Sequence, residues 1–138
     1  RQEMLEYACY NGNFYGTPLD KVEQWLEEGF DVMLEIEVQG ARQVKARMPN
    51  AILMFLVPPS MEELHRRLVE RGREAPELIV ERFKAAYEEM NFISRYNYVI
   101  TNDRVEEAVC KIEAVITAEK CRVQHNKELL SELLEGGI

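Results

Sequence analysis

The chain is short of positive charge, of cysteine pairs and of long apolar runs. It carries 17 Lys and Arg against 25 Asp and Glu, a formal net charge of −8. That balance argues against a nucleic-acid backbone or an anionic membrane as partner. It leaves open a phosphorylated small molecule, which local arginines can hold. No stretch reaches the roughly eighteen apolar residues of a membrane span, and the first residues have no signal-peptide pattern. Cys9, Cys110 and Cys121 are odd in number and widely spaced, with no Cys-x-x-Cys pair, so free thiols in a reducing cytoplasm are expected. His65 and His125 have no partner at metal-ligand spacing, which argues against zinc. There is no initiator Met either: the chain opens on Arg1-Gln2-Glu3-Met4-Leu5-Glu6, in the middle of an element, as a piece of a longer or processed protein would.

What is there is an ordinary globular composition, 46% apolar and 30% charged over 138 residues, enough for one domain. No internal repeat, low-complexity segment or linker interrupts it. Residues 1–17 mix turn and extended signals, with Gly12 and Gly16 bracketing Asn13-Phe14-Tyr15. Residues 18–28 read as a helix that Gly29 stops, with Leu19, Val22 and Leu26 on one face. Residues 31–37 read as the first clear strand, followed by a chain reversal and a helix over 41–48. The apolar run 51–57 predicts a strand buried on both faces. Ser60 with Glu63 three residues on is a capping-box pattern, opening a helix that stops near Gly72. A second helical arm spans 76–92, a short strand 98–101, and one long helix or two joined ones 105–134, ending at Gly136-Gly137. The stripe Val109, Ile112, Val115 and Ile116 predicts a core-packing face. Strands alternating with helices predict an α/β fold with a parallel sheet.

The loops after strands hold the chemistry. Glu35 and Glu37 lie two apart at the end of 31–37, so they share a face at the sheet's carboxyl end, where open α/β sheets form ligand crevices. Glu6 with Tyr15 and Thr17 offers a carboxylate, a phenol and a hydroxyl suited to paired N–H donors and phosphate oxygens. Arg66, Arg67, Arg71, Arg73 and Arg82 could clamp phosphates, Arg67 and Arg71 lying four apart on one helical face. Asn102-Asp103 closes the last strand. Each also has a plain structural explanation: a strand entering a charged loop, a tyrosine-plugged turn, and a solvated face neutralised by Glu62, Glu63, Glu70 and Glu74. Asn102-Asp103 is a turn signal first.

Together these motifs resemble the guanylate kinases, which transfer a phosphoryl group from ATP to GMP. Glu6, Asn11-Gly12-Asn13-Phe14-Tyr15-Gly16-Thr17, Glu35-Ile36-Glu37-Val38-Gln39-Gly40, Pro58-Pro59-Ser60, Arg67-Leu68-Val69-Glu70-Arg71-Gly72, Arg82 and Tyr98-Val99-Ile100-Thr101-Asn102-Asp103 follow the family's order and intervals to at least residue 120. The resemblance implies a three-layer parallel sheet of the P-loop nucleoside monophosphate kinase type with a helical lid. Residues 1–30 would be the remnant of the GMP-binding region, and 31–138 the core with a lid at about 66–85. Glu6, Tyr15, Thr17 and Glu37 would form the GMP pocket, Glu37 accepting from guanine N–H groups. Glu35, where the family more often has Asp, would face the phosphates and a hydrated Mg2+ carried with ATP, with no metal bound directly by the protein. Arg67, Arg71 and Arg82 would neutralise the transferred phosphoryl, and Asn102 would lie near adenine.

None of the seven glycines is followed by Lys, so the family's Gly-x4-Gly-Lys-Ser/Thr phosphate loop is not within these residues. The segment bearing a Ser and two Arg for the GMP phosphate is missing as well. The expectation is a chain truncated at its N-terminus and inactive alone. The gap left by the loop's central strand would be closed by direct pairing of 31–37 with 51–57, by a second copy, or by a separately supplied front half. The alternative is a guanylate-kinase-like protein-binding module that has lost ATP handling.

Overall fold

The structure, a computed structural model, describes residues 4–10, 13–71 and 75–136. The turn at Asn11-Gly12, the helix stop at Gly72, Arg73, Glu74 and Gly137 lie outside the described residues, as do the side chains of residues 7–15, Tyr15 among them. The chain divides into two compact units: Arg1–Phe55 with Val80–Tyr98, and Leu56–Ile79 with Val99–Ile138.

The first unit opens on a hairpin. Strands β1 (Met4–Tyr10) and β2 (Asn13–Pro18) pair antiparallel, with Glu6 opposite Thr17 and Tyr10 opposite Asn13. The glycine-bracketed stretch is therefore strand rather than loop. Pro18, with φ of −66°, serves as N-cap of α1 (Leu19–Glu27), a position that asks for no N–H from it. The helix ends as its sequence suggests. Gly29, at φ of +91°, takes the left-handed turn, its N–H reaching Leu26 O at 3.1 Å while Phe30 N–H reaches Trp25 O at 3.0 Å. Trp25, the single tryptophan, sits on α1 and is 43% exposed.

Residues 31–37 do not form the expected strand. Their burial still alternates, with Val32, Leu34 and Ile36 packed toward the core and Asp31, Met33, Glu35 and Glu37 exposed. Period-2 patterning fixes which side faces in, but a strand also needs a neighbour for its N–H and C=O groups. Among the described residues no strand pairs with this segment, so direct pairing with 51–57, one of the three closures considered for the gap, is not seen among them. Helix α2 (Val38–Arg47) starts earlier than the sequence suggests and takes Gly40 into its first turn. It packs against β1, and Leu5, Val22 and Val44 form the buried core of the unit with Leu19, Val32, Leu34, Ile36, Met48 and Ala51 around them.

Strands β3 (Met54–Val57) and β4 (Tyr98–Thr101) form a second, two-stranded sheet. Their flanking bonds advance together, Tyr98 N–H to Leu53 O at 3.0 Å and Asn102 N–H to Val57 O at 2.7 Å, so the pair is parallel. The architecture is α/β, with this small parallel sheet and a separate antiparallel hairpin in place of one continuous sheet. The strand expected to be buried on both faces leaves Leu56 51% exposed. Asn97 fixes the start of β4, its Oδ1 accepting Leu53 N–H at 2.8 Å.

In the second unit, Ser60 caps α3 (Met61–Arg71), its Oγ accepting Glu63 N–H at 3.0 Å. The return half of the capping box is not made: the Glu63 carboxylate turns to Arg66 and Arg67 instead. Helix α4 (Pro76–Glu89) begins in this unit but from Val80 belongs to the first, as does the 3-10 turn over Met90–Arg95 that follows it. The C-terminal stretch is two joined helices, α5 (Val105–Lys120) and α6 (Lys127–Gly136). Asn126 Nδ2 donates to the carbonyls of Lys120 and Arg122 where the first of them ends. Ile100 and Ala108 are buried, whereas the stripe on α5 is only half-buried at Ile112, Val115 and Ile116 and exposed at Val109.

Candidate nucleotide site

The hairpin register places Glu6 and Thr17 side by side on one face of the two-stranded sheet. Thr17 Oγ1 donates to Glu6 Oε1 at 2.6 Å, and Glu6 is only 5% exposed. Its other oxygen lies against Gly40 in α2. A Cβ at Gly40 would stand 2.8 Å from Glu6 Oε2 and 3.3 Å from Ile36 Cβ. The Gln-Gly of the motif therefore reflects space rather than backbone strain: a bare α-carbon lets the carboxylate approach the helix. Glu37, the N-cap of the same helix, makes no capping bond with its side chain and stays exposed. The first turn of α2 thus stands between two sequence-predicted carboxylates, one fixed by Thr17 and one free.

Glu37 opens onto a depression of about 240 Å³, lined also by Val38, Gln39, Arg42, Glu89 and Phe92. Burial, and then the charge of Glu37, hold the Glu89 carboxyl above the usual carboxylate range. Burial and the charge of Glu89 likewise push the Tyr96 phenol up. The guanidinium of Arg42 stands over the Phe92 ring at 5.6 Å from its centre, and that of Arg95 at 5.5 Å. Arg42, Phe92 and Glu89 carry no local sequence signal, because only the tertiary fold brings the end of α4 to the start of α2.

In the second unit, Arg67 closes on the end of β4. It donates to Asn102 O at 2.7 Å and Asp103 O at 3.3 Å, with Glu63 at 3.0 Å on its Nε. Two sequence-predicted residues, Arg67 and Asn102, thus meet through the main chain. The hydrogen bond from Arg66, reinforced by Arg67, holds the Glu63 carboxyl down at about 2 against the opposing effect of burial. Arg71 ends α3 and is exposed. Arg82 lies on α4 within the first unit, and Glu35 is exposed in the extended segment before α2. Tyr15 occupies β2 opposite Ala8.

The family model described as guanylate kinase matches residues 1–119. The chain belongs to the guanylate kinase family. A guanylate kinase of Clostridium perfringens is 52% identical over 133 residues, covering 96% of this chain and 62% of that protein. One from Caldanaerobacter subterraneus is 52% identical over 134 residues, covering 97% of this chain and 65% of that one. The crystal structure of guanylate kinase from Anaplasma phagocytophilum superposes with a TM-score of 0.76 at 33% identity, over 94% of this chain and 64% of that one. The chain therefore spans less than two thirds of the length of these guanylate kinases. Their fold accounts for the order of elements found here. No helix among the described residues is long and apolar enough to cross a membrane.

Proposed function

We propose that this chain carries the GMP-reading and lid portions of an enzyme that transfers a phosphoryl group from ATP to GMP, giving ADP and GDP. The observation that carries the reading is the pair of carboxylates at the first turn of α2, Glu6 fixed by Thr17 and Gly40, and Glu37 left free. In this reading Glu37 and Glu6 accept the N–H groups of guanine, an edge that adenine does not offer. Thr17 fixes Glu6, and Tyr15 and Thr17 bond the GMP phosphate or base. An oxygen of that phosphate attacks the γ-phosphorus of ATP as the bond to the β,γ-bridging oxygen breaks, the electron pair leaving with ADP. Arg71 and Arg82 neutralise the charge that builds there, joined by Arg67, which also fixes the strand end where Asn102 meets adenine.

The Mg2+ that travels with ATP neutralises phosphate charge and orients the chain of phosphates. Glu35 is an exposed single carboxylate, and among the described residues no cluster of acidic, His or Cys side chains forms a cage around it. That donor set suits an ion keeping most of its own water. The free, exposed Cys110 and Cys121 accord with a reducing cytoplasm as the working compartment. Segment 31–37, which pairs with no strand among the described residues, is proposed to accept a strand from a second copy or from a separate front half of the fold. Concentration-independent sedimentation as a monomer would remove the second copy from consideration.

Assayed by itself, the 138-residue chain is expected to bind GMP in preference to AMP and to release no ADP, because it holds no Gly-Lys phosphate loop. Titration with GMP and AMP, alongside Glu37→Gln, tests the base-reading role. The amide presents a donor to guanine's donors and should erase the preference for GMP. The alternative reading is a protein-binding module without catalysis. Indifference to GMP in the titration would select the module.

A further inference from the structure

Helix α6 (Lys127–Gly136) lies beyond residues 1–119, the part of the chain that the guanylate kinase family model matches, and the proposed reaction makes no use of it. Its sequence is two-sided. At about 100° per residue, Leu129, Leu130, Leu133 and Leu134 fall within one arc, and Lys127, Glu128, Ser131, Glu132 and Glu135 within the other. Such a stripe ordinarily faces a core. Here no residue of the helix is buried, and the four leucines are between 39% and 77% exposed. A helix of ten residues is too short to persist in water by itself, since even about 12–15 are marginal, so its order depends on a cover for that stripe. Its charges add to the difficulty: Glu132 and Glu135 sit toward the carboxyl end, where the helix dipole is already negative, and the last turn holds no basic residue. The amino end is fixed. Asn126 Nδ2 donates to Lys120 O at 2.9 Å and Arg122 O at 2.8 Å, while its own carbonyl accepts Leu130 N–H at 3.0 Å.

We propose that α6 docks a second copy of this chain, the two helices packing antiparallel, leucine face to leucine face, about a two-fold axis. Two features of the helix select that occupant. The four leucines are spaced symmetrically about the midpoint between Ser131 and Glu132, so turning the helix end for end lays the pattern on itself. Leu129 then meets the partner's Leu134, and Leu130 the partner's Leu133, the self-matching contact that a two-fold interface requires. Polarity is the second feature. Antiparallel packing sets the acidic carboxyl end of each helix beside the partner's Lys127 and the positive end of its dipole, whereas parallel packing would bring like ends together. Glu128, on the side away from the leucines, stays in solvent. Four leucines on one short helix make a contact smaller than the roughly 1,200 Å² at which stable interfaces begin, so the pair forms at about micromolar concentrations and above. The whole of α6 belongs to the unit Leu56–Ile79 with Val99–Ile138, so this contact is separate from any strand pairing at 31–37 and does not depend on the GMP reading.

The test is analytical ultracentrifugation of the 138-residue chain across about 1 µM to 1 mM, where the mass should rise from that of one chain toward that of two. Leu130→Glu and Leu133→Lys each set a charge against a leucine of the partner. Each alone should weaken self-association by more than about tenfold. Mixed in equal amounts, the two variants should associate again, because position 130 faces position 133 of the partner in the antiparallel pair and the new charges are opposite. Recovery on mixing also shows that both variants are folded. A chain that stays monomeric throughout overturns the proposal. So does self-association that both variants retain, which would place the contact elsewhere, at 31–37 for instance. Variants that do not recover on mixing overturn the antiparallel pairing.

Discussion

Replacing Gly40 by Ala should destabilise the chain even though the substitution lies inside a helix. Helix propensity alone favours Ala over Gly by about 0.8–1 kcal/mol. Against that, the new Cβ would meet Glu6 Oε2 at 2.8 Å and Ile36 Cβ at 3.3 Å. A carboxylate at the end of a flexible side chain would normally move aside, but Glu6 is buried and tied to Thr17 at 2.6 Å. Its displacement sacrifices a hydrogen bond to a charged group, about 1.5–3 kcal/mol, or else forces overpacking of about 1–3 kcal/mol. The net effect expected is a loss of about 1–2 kcal/mol. Urea titration should show the midpoint fall with the slope unchanged, since one added methyl group hardly changes the surface exposed on unfolding. Thr17→Val removes the donor to the same carboxylate, so the double variant should lose less than the sum of the two single losses. A neutral or stabilised Gly40→Ala, or strict additivity with Thr17→Val, would mean that Glu6 is not held between β2 and α2, and the reasoning about the fixed carboxylate would collapse.

Other outcomes follow from the same contacts. Glu63 has a folded pKa of about 2 against an ordinary 4.5, so the stability it contributes is present above about pH 4.5 and is lost as pH falls toward 2. Thermal melts between pH 5 and 2 should show a shallower decline for Glu63→Gln, and added salt should shrink the difference because the Arg66 partner is exposed. Glu89 has its folded pKa raised, so its charge opposes folding at neutral pH and the opposition fades as pH falls through that value. Glu89→Gln should therefore raise the melting temperature at pH 7, with the gain vanishing in acid. Arg67→Ala should free the carbonyls of Asn102 and Asp103. Faster amide exchange just after β4, with α1 and α2 unaffected, would report it.

The sequence is informative wherever structure is decided by neighbours along the chain. Ser60 capping Glu63 and Gly29 turning the chain after α1 both rest on contacts a few residues apart. The alternating burial of 31–37 was equally legible, but pairing depends on a partner elsewhere, and that part of the expectation failed. The hairpin went unread because β1 and β2 lack clean alternation, and so did the bond between Thr17 and Glu6 that depends on its register. Gly40 looked like a chain reversal, since nothing local announces that a carboxylate from β1 will lie against its α-carbon. Arg42 and Glu89 escaped for a similar reason: they face one opening only after α4 has brought its end to α2.

Trp25 lies in α1, and the chain has no other indole. Its fluorescence therefore samples Arg1–Phe55 with Val80–Tyr98 directly, while helical dichroism sums both units, α1 and α2 from the first and all of α5 and α6 from the second. Following emission and ellipticity through one melt thus sets the first unit against the sum of the two. Coincident curves mean that the halves lose order as a single body, and separated curves that they do so in succession.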